Sequence, residues 1–339
     1  MCGFCKIDTK EQLKSCVCKK VSYCSKECQT KDWKTHKPSC PPFIIRESPG
    51  KGRGLFATRK IKEGQIILDE YPLLTWNVGM SFNEFGTTQF PIMDDDTKAM
   101  VLELNPGLLC CEEAPNDEMS KIYRIVTGNS SRICEEKDLY TNTNEAGLYN
   151  NISLINHGCV TNAFPSWVMG DFKRQQVRAI MTIEKDQEIL ISYREEEEFI
   201  CGSRESRRQF LLVAGGFLCQ CSECSLKGED LEENERMREV IREKQAEIRQ
   251  LVRRDYLSSR KSVKKAMKSS QQKVKLIQKL NLRAEFVAAM IDFYRASIMA
   301  RVMGIPCENN PVIFKQEALK YAKMFGDKYI HSYNKHINK

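Results

Sequence analysis

The sequence contains no run of apolar residues approaching the roughly eighteen needed to cross a membrane as a helix, so no membrane attachment is expected. No leader is expected either. Cys2 follows Met1 with no charged and apolar segment ahead of it, which argues for a reducing interior over secretion. Disulfides are correspondingly disfavoured, although the 339 residues include 16 cysteines. Charge of one sign is scarcer than the composition suggests. The formal +8 overstates the balance wherever cysteines bind metal, since ligating thiols are deprotonated. The remaining basic excess sits in the lysine-rich N-terminal segment and between Arg253 and Lys279, with no groove-reading helix beside it. Direct nucleic-acid binding is therefore not the expected role, and solvated lysines account for the excess.

What is present is a dense N-terminal set of soft ligands. Cys2 and Cys5 form a C-x-x-C step, Cys16 and Cys18 a tighter C-x-C, Cys24 and Cys28 a C-x-x-x-C, and His36 and Cys40 an H-x-x-x-C. Four such pairs are what two tetrahedral zinc ions require. So short a segment has too little apolar surface to fold alone, and structural zinc supplies roughly 10–16 kcal/mol in small fingers. The order of the pairs predicts interleaving: Cys2, Cys5, Cys24 and Cys28 on one ion, and Cys16, Cys18, His36 and Cys40 on the other.

Pro41 and Pro42 make a rigid boundary. From Phe43 to about Trp76 an alternating, glycine-broken pattern reads as short strands joined by turns. Residues from about 80 to 145 are mixed and read as a helical insertion, as in T-K-A-M-V-L-E-L. Strands resume at Ala163 to Met169, turn at Gly170-Asp171 into Gln176 to Ile183, and end with Glu188 to Tyr193. After Cys224 the composition turns charged and helical. Met237, Ile241 and Ile248 recur at helical intervals, as do Phe286, Val287, Met290 and Tyr294, and Pro311 opens a last helix through Tyr321.

The string from Tyr23 to Cys40, Y-C-S-K-E-C-Q-T-K-D-W-K-T-H-K-P-S-C, resembles the MYND zinc finger. It departs at Ser15, where that family usually has a cysteine, so that Cys16 falls one residue late. The resemblance implies docking of proline-containing peptides, with Gln29 and Trp33 near the groove. Three further segments are G-K-G-R-G-L-F-A from Gly50, N-H-G-C-V-T-N from Asn156, and E-I-L-I-S-Y ending at Tyr193 with F-L-C-Q-C-S-E-C from Phe217. In this order they resemble the SET domain of protein lysine methyltransferases and its post-SET segment. Together with the finger they resemble the SET- and MYND-domain (SMYD) family, in the invertebrate arrangement with the finger ahead of an uninterrupted SET domain.

That resemblance implies an α+β chain: a MYND finger over 1–40, a mostly β SET core over 43–200, a post-SET zinc segment over 201–226, and an α-helical region over 227–339. Cys219, Cys221 and Cys224 supply three ligands, one short of a closed site. In the family the fourth is the cysteine of the N-H-x-C element, here Cys159, giving a third zinc. S-adenosylmethionine would be held by Lys51, Arg53, Asn156, His157 and Phe217, and Tyr193 would be the catalytic tyrosine. The implied reaction is methyl transfer to an exposed lysine of a protein substrate, histone or non-histone, with a role in transcriptional regulation. A monomer in cytoplasm and nucleus is expected. Cys110, Cys111, Cys134, Cys201 and Cys307 read as buried thiols. Gly158 and Thr161 replace the family's serine and proline, and Gly215 stands where studied members have a channel tyrosine. Loss of that aromatic wall would widen the channel, and the alternative is a weak or inactive scaffold that recruits partners through the finger.

Overall fold

The computed structural model describes residues 1–7, 13–16, 18, 20–104, 117–135, 138–168, 170–194, 196–253, 259–306, 311–325, 330 and 333–334. Cys110, Cys111 and Cys307 lie outside the described residues, as does the side chain of Cys134, whereas Cys201 is buried. No described helix is long and apolar enough to cross a membrane.

The finger pairs β1 (Lys14–Ser15) with β2 (Ser22–Tyr23) and adds helix α1 (Lys26–His36), whose Ser25 cap accepts from the Cys28 amide. Its core consists largely of cysteines: Cys2, Cys16 and Cys40 are buried around Tyr23, with Trp33 packed alongside. Arg59 fastens the finger to the chain beyond it. Its guanidinium donates to the carbonyls of Cys40 and Pro41 and lies over the Trp33 ring.

The central region is a set of small sheets. β3 (Phe43–Ser48) and β4 (Gly52–Ala57) form a hairpin whose turn needs the left-handed backbone of Gly50 and Gly52. β5 (Ile66–Glu70) and β6 (Leu74–Asn77) follow. Next come the helices α2 (Phe82–Glu84), α3 (Asp95–Leu102) and α4 (Glu118–Asn129). Helix ends at Asn129, and the expected helical insertion to about 145 is corrected there. β7 (Ser131–Glu135) and β8 (Asp138–Leu148) pair with each other, and β8 also pairs with β6. The reason is burial on one face. Trp76, Ala146 and Leu148 of the sheet close against Phe85, Ile122, Ile125 and Val126, so strand and helix share one core.

β9 (Asn156–His157) pairs in parallel with β12 (Leu190–Ile191), so the N-H-G-C and I-S-Y segments lie side by side. β10 (Ala163–Val168) and β11 (Asp171–Ala179) form a hairpin through Gly170, and β5 adds to β11. Leu55, Ile61, Val177, Ile183 and Ile189 fill the space beneath.

Six described helices follow: α5 (Glu197–Ile200), α6 (Arg204–Gly215), α7 (Gly228–Arg253), α8 (Arg260–Lys279), α9 (Arg283–Val302) and α10 (Pro311–Phe325). From α7 onward each packs on its successor. Phe164 of β10 enters their core and meets Phe325 edge-on, tying sheet to helices. Within it, Lys273 of α8 is buried, 2.9 Å from Glu197 and 3.8 Å from Asp292, and donates to Gln245. Glu285 of α9 is buried beside them. Burial, reinforced by Glu197 and Glu198 and opposed by Lys273 and Arg249, raises its pKa from 4.5 to about 8.

The unfolded chain gives up this proton at lower pH than the folded one. The contribution of Glu285 is therefore complete below about pH 4 and lost as pH rises toward 8. Glu285→Gln is expected to stabilise the helical region at pH 8 by on the order of 1–3 kcal/mol, an advantage that vanishes toward pH 4. Denaturant titrations at the two pH values measure it.

Candidate active site and metal centres

Among the described residues three groups of four ligands emerge, each with all its ligand atoms within 4.8 Å of one another: Cys2, Cys5, Cys24 and Cys28; Cys16, Cys18, His36 and Cys40; Cys159, Cys219, Cys221 and Cys224. Ligands about 2.3 Å from a central zinc sit about 3.8 Å apart at the corners of a tetrahedron. The sulfurs of Cys5 and Cys24 are 3.7 Å apart, Cys24 and Cys28 3.6 Å, Cys16 and Cys40 3.8 Å, and Cys159 and Cys224 3.6 Å. Cys18 Sγ is 3.3 Å from His36 Nε2. These are edges of tetrahedra, far longer than the bond of about 2.05 Å in a disulfide. Two of the donor sets are all-thiolate and the other is three thiolates with one imidazole, both of them combinations found in structural zinc sites.

The C-x-C step brings both of its sulfurs to the second site despite the displaced cysteine. Ser39 Oγ lies 3.4 Å from His36 Nδ1, which orients the ring so that Nε2 faces the thiols. The third group joins β9 to the loop after α6, across about sixty residues of chain.

The remaining site residues converge between these anchors. Asn156 Nδ2 donates to the Arg53 carbonyl at 3.0 Å and to Glu188 Oε1 at 2.9 Å. Lys51 Nζ lies 2.9 Å from Glu188 Oε2. Glu188 therefore ties the glycine-rich strand to β9, a role that sequence reasoning missed. The signal available was its place at the head of E-I-L-I-S-Y. Gly54 shows how close the approach is, since a Cβ there would lie 2.7 Å from both Asn156 Nδ2 and Glu188 Oε1. Arg53 is exposed, and among the described residues its guanidinium makes no hydrogen bond or ion pair.

Tyr193 is fixed at both ends. Its backbone N–H donates to His157 Nδ1 at 3.1 Å, and its hydroxyl donates to the Ile155 carbonyl at 3.1 Å. The residue is 46 % exposed, but its hydroxyl points inward, and burial pushes its pKa up to about 12. His157 is buried, and burial lowers its pKa to about 4, so the ring is neutral at pH 7 with Nδ1 as acceptor and Nε2 toward Cys159. Its side chain thus orients the tyrosine.

Phe217 faces Tyr193 at 6.1 Å and His157 at 6.4 Å, and Phe199, also missed from sequence, packs 5.8 Å from His157. The position of Gly215 is not a gap. Gly216 caps α6 in the left-handed conformation and turns Phe217 back, so a Cβ at 215 would sit 2.8 Å from its ring. The space left without an aromatic at 215 is occupied by Phe217 instead. Of the two finger residues singled out for a groove, Trp33 carries Arg59 over its ring and Gln29 is half-buried on α1.

The SET domain family matches residues 52–194 and the MYND finger family residues 2–40. Among curated proteins, the N-lysine methyltransferase SMYD2 of Bos taurus is 25% identical over 236 residues, covering 68% of this chain and 51% of its own. The histone-lysine N-methyltransferase ASHR1 of Arabidopsis thaliana is 26% identical over 235 residues, covering 66% and 46%. The chain spans about half the length of these relatives. Among solved structures, the SET domain of LSMT bound to lysine and AdoHcy aligns over 91% of each chain at 10% identity, with a TM-score of 0.32.

Elemental analysis of the purified chain is expected to return about three zinc ions, and Cys159→Ser about two, because a site left with three thiolates and a hydroxyl is no longer closed by soft ligands. Three ions retained in that variant would exclude Cys159 as a ligand.

Proposed function

We propose that this chain, which belongs to the SET- and MYND-domain family, is an S-adenosylmethionine-dependent protein-lysine N-methyltransferase. The observation that carries the reading is the double fixing of Tyr193, beside the wall formed by Phe217 and His157 and within the residues the SET family matches. The names of the relatives, N-lysine and histone-lysine methyltransferases, support it.

Lys51 and Arg53 on the glycine-rich segment would hold the cofactor and offer it positive charge, and Gly54 lets the backbone approach closely. Asn156 and Phe217 complete the proposed cradle, with Glu188 setting the position of Lys51 and Asn156. S-adenosylmethionine supplies, when bound, a methyl group activated by a sulfonium. A lysine amine must arrive neutral, which at pH 7 costs about 4–5 kcal/mol from an unperturbed pKa near 10.4. Aromatic walls that exclude water lower that cost by disfavouring the ammonium.

Tyr193 is not the base. Its own proton is held more tightly than in free tyrosine and is donated to the Ile155 carbonyl. The oxygen's lone pairs are left free to accept an N–H from the amine, aligning the nucleophile. Most of the catalysis is then positioning and electrostatics.

The substrate is proposed to be a protein with an exposed lysine, histone or non-histone, and the finger to dock proline-containing peptides of partners. Action as a monomer in cytoplasm and nucleus belongs to the same proposal. Radiolabelled methyl transfer to a protein lysate, paired with calorimetry of S-adenosylmethionine binding, tests it. Tyr193→Phe is expected to cut transfer by about 100-fold with cofactor affinity little changed. Gly54→Ala is expected to weaken cofactor binding by about tenfold, as the added methyl displaces Asn156 and Glu188. Cofactor binding by the unaltered chain with no labelled product in any lysate would favour the scaffold instead.

A further inference from the structure

Two arginines near the third metal group are buried almost completely, Arg207 of α6 at 1% exposure and Arg238 of α7 at 0%. Arg238 is fully engaged. It donates to Asn234 Oδ1 at 2.8 Å, to Glu223 Oε2 at 3.0 Å and to the Ile200 carbonyl. Glu223 lies between Cys221 and Cys224, and Asn234 Nδ2 also donates to it at 2.6 Å. The metal-binding loop is thus gripped from outside by a helix of the C-terminal region.

Arg207 differs. One Nη donates to the Gly202 carbonyl, while Nε and the other Nη have no hydrogen-bond partner among the described residues. A buried guanidinium with unanswered donors is costly unless something of opposite charge lies beside it. What lies beside it is sulfur: Leu211, one turn along the same face of α6, packs into the buried cluster of Cys159, Cys219, Cys221 and Cys224, and Cys159 and Cys224 favour the charge on the guanidinium. Four thiolates around one divalent zinc leave the cluster with a net charge of about −2 in a buried setting.

We propose that Arg207 is a positioning residue of the third zinc site, its buried guanidinium offsetting the negative charge of the four-thiolate zinc cluster on the side of Cys159 and Cys224. The residue unites the segment bearing Cys159 with the loop bearing Cys224, and so holds Phe217, two residues before Cys219, against Tyr193. The proposal rests on the zinc reading of this cluster and is independent of methyl transfer.

The test is zinc release from the full chain into a colorimetric chelator, with zinc content measured beforehand. In Arg207→Met, which keeps length but removes charge and donors, one ion of three is expected to leave at least about tenfold faster, the other two keeping their original rates. Arg207→Lys, which restores charge without the planar fork, is expected to fall between. Unchanged release of all three ions in both variants overturns the proposal, and so does equal acceleration of all three. Should Arg207→Met not fold, Arg207→Lys decides alone, and an unaltered rate in it overturns the role. An unaltered chain holding only two ions would remove the zinc reading itself, without touching the proposed methyl transfer.

Discussion

The constraint on which the rest depends is the junction of Cys159 with Cys219, Cys221 and Cys224. It joins the end of a two-residue strand at the heart of the SET core to a loop beyond α6 that is part of no described sheet. Without it Phe217 has little to hold it, since the backbone there contributes one long hydrogen bond to Leu211. With it, the loop sets the Phe217 ring against Tyr193, which follows directly on the parallel pairing of β9 and β12. Metal chemistry here does the work that a hydrophobic core does elsewhere.

The finger's ligands and three of the third group's four were legible in the sequence because zinc imposes short, regular intervals, whereas Cys159, some sixty residues away, came from the family resemblance alone. Cys2 with Cys5, and Cys221 with Cys224, could be paired by counting. Glu188, Phe199, Arg207 and Arg238 could not. Each acts across the fold: Glu188 reaches Lys51 over 137 residues and Arg238 reaches Ile200 over 38. For the charged ones, an acid in a strand and basic residues in charged helices, an ordinary solvated explanation exists that only three dimensions remove. β7 and β8 were hidden for another reason, since the sequence from Ser131 to Leu148 is polar along much of its length. Its strand character follows from the pairing of β8 with β6 and β7 rather than from pattern.

Gly215 illustrates how comparison by position can mislead. Read as a missing aromatic, it suggests an opening, yet the helix cap at Gly216 folds Phe217 into the adjoining space. Arg59 makes a similar point at the finger. Bonded to the carbonyls of Cys40 and Pro41 and stacked over Trp33, it draws an aromatic of the finger toward the core.

The helical region carries a quieter consequence. Glu197, Glu285 and Asp292 surround the ammonium of Lys273, and burial raises the pKa of both Glu285 and Asp292. At neutral pH the folded bundle keeps a proton on Glu285 that the unfolded chain would surrender to the solution. Its melting is therefore also an acid–base reaction with the medium. The heat absorbed when this region opens will include the ionisation heat of whatever buffer takes up that proton, and will differ between amine and phosphate solutions at the same pH.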